Sequence, residues 1–157
     1  MKIYIGTDHA GFELKEKLKV YLSGLSYEVV DKGPFSYDKD DDYPDLIRPV
    51  AEAVAGDIGS MGVILGGSGQ GEAMCANRVN GARAAVFYGG ASTQTDISGN
   101  TLDMIGSMRE HNNANIISIG ARFMTEDEVK DAVKRFLELP FSGDPRHSRR
   151  INKLDNK

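Results

Sequence analysis

The chain has 157 residues but a single cysteine, Cys75, so it cannot form an internal disulfide and nothing in it requires an oxidising compartment. It has no window approaching the roughly 20 apolar residues of a membrane-spanning helix. The opening MKIYIGTDHAG passes from a short apolar run straight into polar residues, without the apolar stretch of a signal peptide. The expectation is a cytoplasmic protein with no membrane partner. Basic residues are not in excess: the net charge of −4 argues against a bulk electrostatic nucleic-acid binder. Histidine is scarce as well. His9, His111 and His147 lie far apart with no close ligand spacing, so no metal is expected. There is no internal repeat and no linker. The length suits one compact domain spanning 1–157, which buries roughly 68–70% of its unfolded surface and needs no covalent staple.

What is present is an alternation of short β-rich runs and amphipathic helical segments. Ile3-Tyr4-Ile5 is a strand stopping at Gly6, and Phe12, Leu14, Leu18 and Leu22 then recur near helical spacing over 11–23. A second strand spans 27–30. The acidic stretch 35–45 reads as a loop, and Pro44 suits the first turn of a helix to about residue 55. Val63-Ile64-Leu65 is a third strand, followed by a glycine cluster and a helix over 71–79. Strands at 82–88 and 116–119 follow. Thr125 with Glu128 is a capping-box pair opening a helix to about residue 139. Pro140 and Gly143 break it, and a short basic helix closes the chain at about 144–154. Nearly continuous apolar strands between helices predict a three-layer α/β/α, Rossmann-like domain with a five-stranded parallel sheet. Only a partial helix near 102–109 is predicted within the Gly-, Ser- and Thr-rich stretch 89–106.

In open parallel sheets, ligands bind beyond the carboxyl ends of the strands. Thr7-Asp8-His9 follows strand one, Gly66-Gly67-Ser68-Gly69-Gln70-Gly71-Glu72 follows strand three, and Arg122 follows strand five. All three groups fall on one edge. The glycine loop lets backbone approach a ligand and forms a nest for a phosphate or a developing oxyanion; alternatively it is a tight turn with no ligand. It is neither a phosphate-binding GxxxxGK[ST] loop nor a dinucleotide GxGxxG. Glu72 is either a carboxylate that favours the helix dipole or a general base aimed into the nest. Dipole and amides would lower its pKa and a dry site would raise it. Asp8-His9 is a functional loop or a plain surface pair. Arg146 and Arg150 share one helical face, suited to phosphate, or form a solvated helix end. His111-Asn112 stands before strand five, on the opposite edge from the glycine loop. If His111 acts at the same site, a two-fold partner is the way to supply it.

Gly6-Thr7-Asp8-His9-Ala10-Gly11-Phe12-Glu13-Leu14-Lys15, Asp42-Tyr43-Pro44-Asp45, the loop from Gly66 to Glu72 with Ala76-Asn77-Arg78-Val79-Asn80-Gly81-Ala82-Arg83, Arg109-Glu110-His111-Asn112-Asn113-Ala114-Asn115, and Arg146-His147-Ser148-Arg149-Arg150 occur in that order. Together they resemble the ribose-5-phosphate isomerase B family, whose wider membership includes galactose- and allose-6-phosphate isomerases. The resemblance implies that Asp8 and His111 assist ring opening. It implies a base that moves a proton from C2 to C1 through a cis-enediolate stabilised by Ser68 and the amides around Gly67, Gly69 and Gly71. His9, Arg122, Arg146 and Arg150 would hold the phosphate, and Asn112 would orient a sugar hydroxyl. It further implies a homodimer or dimer of dimers with shared sites, the C-terminal helix packing on the partner, and no cofactor.

Two features depart from the commonest pattern. Gly66 stands where many members carry a cysteine base, so the base is assigned to Glu72, as in a second subgroup. Cys75 lies outside that slot and reads as a small buried residue. The connection from Gly89 to Ser107 is longer than in the family, and it leaves open a phosphohexose isomerase of the galactose or allose type. A non-catalytic sugar-phosphate sensor is the remaining alternative. A carboxylate beside an anion site would serve such a binder poorly.

Overall fold

The computed structural model describes residues 1–90, 94, 95, 99 and 101–154. In chain order it contains β1 (Lys2–Thr7), a 3₁₀ turn (His9–Gly11), α1 (Phe12–Gly24), β2 (Glu28–Asp31), α2 (Tyr43–Gly56), β3 (Met61–Gly66), α3 (Gln70–Ala76) and β4 (Ala84–Phe87). Then follow β5 (Gln94–Thr95), β6 (Thr101–Leu102), α4 (Met104–Gly106), which runs into a π-helical turn (Ser107–His111), β7 (Ile116–Gly120), α5 (Glu126–Glu138) and α6 (Pro145–Ile151). Five strands form one parallel sheet in the order β2-β1-β3-β7-β4. The expected α/β architecture is therefore present. The two-residue antiparallel pair β5–β6 is an addition that the sequence pattern did not signal.

The period-two alternation of the strands explains the layers. Ile3 and Ile5 of β1, Val63 and Leu65 of β3, and Ile117 and Ile119 of β7 face Leu18 and Leu22 of α1 and Val129, Val133 and Phe136 of α5. Ile64 and Ile116 point the other way, against Ile47, Val50, Ala51 and Val54 of α2 and Cys75 and Ala76 of α3. Each fully buried large aliphatic side chain contributes roughly 1.5–3 kcal/mol of transfer free energy. Cys75 is a buried free thiol, in keeping with the packing role expected of it. Pro49 lies inside α2, yet the helix continues. An interior proline costs about 3 kcal/mol or more, and the four buried side chains of that helix offset it. The capping box of Thr125 and Glu128 is formed in both directions.

This strand order sets the position of the site. From β1 the chain crosses one face through α1 to reach β2; from β2 it crosses the opposite face through α2 to reach β3. The loops after β1 and β3 therefore part above the sheet, and a crevice opens between them. Lys15 of α1 is completely buried and holds one wall of it. Its Nζ donates to both oxygens of Asp31, at 2.9 and 2.7 Å, and to the carbonyl of Pro34 at 2.7 Å. Lys19 adds a bond of 2.6 Å to the same carboxylate. The acidic loop leading to α2 thus starts from a fixed point. The long connection from Gly89 to Ser107 is described only in part, because residues 91–93, 96–98 and 100 lie outside the described residues.

Candidate active site

The crevice gathers residues from four places in the chain. Asp8 and His9 come from the turn after β1, Asp41 from the acidic loop, Ser68 to Glu72 from the loop and first turn after β3, and Arg122 from the turn after β7. The glycine loop is tied to the end of β7: the amides of Ala121 and Arg122 donate to the carbonyls of Gly66 and Gly67 at 2.8 and 3.1 Å. Ser118 Oγ donates to the carbonyl of Gly69 at 2.6 Å. Gly69 has φ +74°, a left-handed conformation that glycine adopts without strain. A Cβ there would also lie 3.0 Å from the backbone of Ile119. Gly71 leaves room for the Tyr43 ring, which a Cβ would meet at 3.0 Å, so this glycine has a packing reason besides any ligand. Ser68 Oγ accepts from the amide of Gln70 at 3.3 Å.

Glu72 is buried, with 5% of its surface exposed. Gly66 explains how it fits. A Cβ at Gly66 would lie 2.1 Å from both Cδ and Oε1 of Glu72. The Glu72 carboxylate therefore occupies the volume that any side chain at residue 66 would claim. The opposing influences on its acidity resolve in one direction. Burial pushes its pKa up, its own backbone amide pulls it down, the Asp8 carboxylate raises it and the His9 imidazole lowers it; the net shift is upward. Helix α3 is only seven residues long, which limits its dipole. Asp8, also buried, is shifted upward too: burial dominates, against the amide of Ala10 that donates to it at 2.9 Å and the charge of His9, while Asp41 raises it further. His9 Nδ1 lies 2.7 Å from Oδ1 of Asp41, and that bond raises the histidine pKa. Arg122 lies over Gly67, its guanidinium 3.4 Å from where a Cβ would stand.

The remaining sequence candidates lie on the other edge of the sheet. His111 ends the π-helical turn that precedes β7, and α5 returns the chain to that same edge before α6. The rings of His111 and His147 pack at a 40° tilt with centroids 4.3 Å apart. Arg146, Arg150, Asn112 and these two histidines line one cavity of about 250 Å³. Asn112 Nδ2 donates to the carbonyl of Ser107 at 2.8 Å, and Ser142 Oγ lies 3.2 Å from His147 Nδ1. Arg146 and Arg150 are exposed and form no ion pair among the described residues. β7 alone separates the two clusters by roughly 15 Å at about 3.3 Å per residue. A single chain therefore does not bring His111, Asn112, Arg146 and Arg150 to Glu72, as the position of His111 in the sequence already suggested. Larger cavities lie elsewhere: one of about 540 Å³ is bordered by Met104, Met108, Ala85 and Leu154, and one of about 550 Å³ by Phe87, Met124 and Arg135. Neither reaches Glu72. The convergent acids and the glycine loop mark the site better than void volume does.

Residues 3–154 match the model of the family described as Ribose/Galactose Isomerase. The chain belongs to the Ribose/Galactose Isomerase family. A relative named ribose-5-phosphate isomerase B, from Mycolicibacterium paratuberculosis, is 42% identical over 98% of this chain and 89% of its own length. The crystal structure of ribose-5-phosphate isomerase B from Mycoplasma genitalium with bound ribulose-5-phosphate superposes with a TM-score of 0.84, at 34% identity, covering 98% of this chain and 93% of that one. The Thermotoga maritima ribose 5-phosphate isomerase structure gives a TM-score of 0.84 at 39% identity, covering 99% and 98%. Family membership and tertiary structure thus agree over nearly the whole chain.

Sequence reasoning passed over Asp41 at the crevice and gave no role to Tyr43, which it met only as part of the Asp42-Tyr43-Pro44-Asp45 motif. Asp41 sits in a run of three aspartates, and nothing local distinguishes it from Asp40 or Asp42. Its signal is long-range: the fold brings His9, 32 residues away, to this aspartate. Ligand atoms of Asp8, His9 and Asp41 lie within 4.8 Å of one another. The His9–Asp41 separation of 2.7 Å is that of a hydrogen bond. A cation held by both atoms at about 2.0–2.2 Å would force them apart. The geometry present is a hydrogen-bonded pair beside a third acid.

Proposed function

We propose that the protein is an aldose–ketose isomerase that interconverts ribose 5-phosphate and ribulose 5-phosphate, with Glu72 as the base. The observation carrying this reading is the buried Glu72 carboxylate in the space left by Gly66, its pKa shifted upward by burial. A base held closer to neutral pH is better matched to removing a proton from carbon. Glu72 takes the proton from C2 of the open-chain aldose. The electron pair forms the C1–C2 double bond, and charge develops on the C1 oxygen. Ser68 and the amides of Gly67, Gly69 and Gly71 face this enediolate. Glu72 returns the proton to C1 while the O2 proton passes to the C1 oxygen, and a C2 ketone with a C1 hydroxyl completes the ketose. Asp8 and His111 assist ring opening, Asn112 orients a hydroxyl, and His9, Arg122, Arg146 and Arg150 hold the phosphate. The family membership and the relatives' names support the substrate class.

Because the second cluster lies on the far edge, we propose that each site is completed by a second copy of this chain, through a two-fold contact that carries His111 and α6 across. The groove bordered by Met104, Met108 and Leu154 beside Asn112 supplies apolar surface for that contact.

The test is a substrate panel on the purified protein, using ribose 5-phosphate, allose 6-phosphate and galactose 6-phosphate, repeated with Glu72→Gln. The expected outcome is preferential conversion of the pentose, with turnover falling about 10²–10⁴-fold in the variant while ligand binding is kept. A hexose preference would retain the chemistry and make the long Gly89–Ser107 connection the determinant of specificity. Ligand binding with no turnover of any substrate would return the protein to a sensor.

A further inference from the structure

We propose that Asp41 is a positioning residue for the phosphate subsite: it grips His9 by Nδ1 and leaves Nε2 as the free donor toward the anion, beside Arg122. The inference rests on the reading of His9 and Arg122 as phosphate ligands. It concerns a residue that makes no contact with substrate in that reading.

The geometry carries it. The bond spans 32 residues of sequence, from the loop before α2 to the turn after β1, across the crevice itself. The Asp41 side chain is only 10% exposed, against 29% for His9. Its second oxygen, Oδ2, is buried without a hydrogen-bond partner among the described residues. A half-buried carboxylate so poorly satisfied leans on His9, its one ion-pair partner among the described residues. A carboxylate accepting from Nδ1–H also fixes the tautomer and the ring orientation. The loop that carries Asp41 is itself anchored at its start by the buried Lys15 through Asp31 and Pro34.

Four charged groups face His9: Asp8 on its own turn, Asp41 from the acidic loop, Glu72 from α3 and Arg122 from the turn after β7. The bond to Asp41 is the strongest influence and raises the histidine pKa, with Asp8 adding to it; burial and Arg122 act the other way. Without the Asp41 charge, burial and Arg122 gain weight, and the imidazolium is lost at a lower pH. The pair as a whole is neutral but directional. Its positive end is turned to the crevice and its negative end is buried behind it. An acid so close to an anion subsite otherwise only repels the ligand.

The experiment is a nitrogen-15 NMR titration of the His9 imidazole, assigned by its loss in His9→Gln, together with sulfate affinity as a function of pH. Sulfate is a dianion throughout the neutral range, so changes in affinity report on the protein. In the wild-type protein His9 titrates above the ordinary value of about 6.5. In Asp41→Asn, which keeps an acceptor but removes the charge, the titration moves to lower pH. At pH values between the two His9 midpoints sulfate then binds up to about fivefold more weakly, the difference between a charge-assisted and a neutral hydrogen bond. Where His9 is protonated in both forms, the variant binds sulfate as tightly or more tightly, because a negative charge has been removed. That crossing of the two affinity curves is not produced by a merely structural defect. In the His9→Gln background the pH-dependent effect of Asp41→Asn disappears. An unmoved His9 titration in the variant overturns the proposal. Should the variant fail to fold, a wild-type His9 that titrates at or below the ordinary value overturns it equally. None of these readouts requires isomerase activity. If His9 titrates as expected but sulfate does not bind, the reading of His9 and Arg122 as phosphate ligands fails, and this proposal fails with it. A normal sulfate response with no turnover of ribose 5-phosphate removes the isomerase reading alone.

Discussion

The two edges of the sheet carry the same kinds of residue in opposite states. At the carboxyl edge, Asp8 and Glu72 are buried, shifted upward in pKa and locked against backbone, and His9 is bonded to Asp41. At the amino edge, Arg146, Arg150 and Asn112 are exposed, and the arginines have no acidic partner among the described residues. The first cluster is organised by its own chain. The second is a set of exposed donors around the His111–His147 ring contact, with Asp144 at the start of the same helix as its nearby carboxylate. The difference matches what the proposed two-chain site would require: the buried edge supplies the base, and the edge offered to a second copy supplies His111 and the two arginines.

The sharpest way to break this contrast is to disturb the buried edge. Gly66→Ala places a methyl group on the Glu72 carboxylate and displaces it. Turnover is expected to fall about a hundredfold, the cost of an ångström-scale misplacement; kcat near the wild-type value would detach Glu72 from the chemistry. At the exposed edge the expected effect is smaller and lies in binding. Arg146→Ala should raise KM for ribose 5-phosphate about tenfold through loss of a charge-assisted hydrogen bond, with kcat little changed. An unaltered KM would return Arg146 to a solvated helix end. A mixing experiment sharpens the link between the edges. Glu72→Gln and His111→Ala homodimers should each be impaired, and co-refolded chains should recover about a quarter of wild-type activity, because half the dimers carry one intact site. No recovery would place each site within one chain. The smallest effect is on pH dependence. The base works ionised and its pKa is raised, so activity is lost as pH falls through a value above the ordinary glutamate figure of about 4.3. His9→Gln removes the cation that opposes this shift, and the acid limb of kcat/KM should move further toward neutral.

Much of this was legible in the residues. The strand and helix order followed from apolar periodicity, and the capping box at Thr125 was found where the pattern placed it. The rule that ligands sit beyond the strands' carboxyl ends put Asp8, Glu72 and Arg122 on one edge and His111 on the other, and the parallel sheet bears this out. The π-helical turn under His111 and the β5–β6 pair were not legible, because each rests on a few local bonds that no periodicity announces. Asp41 was hidden for a different reason. Three adjacent aspartates are equivalent until a fold brings a histidine to one of them.

By itself the sequence determined the layered parallel architecture, the glycine loop and the separation of the candidate residues into two groups, because strand periodicity and chain order suffice for these. Tertiary structure alone decided the direction of the Glu72 pKa shift, the exchange of space between Gly66 and Glu72, and the bond between Asp41 and His9. Each of these depends on which distant groups exclude water from a carboxylate or meet it, and that is a property of packing across the crevice.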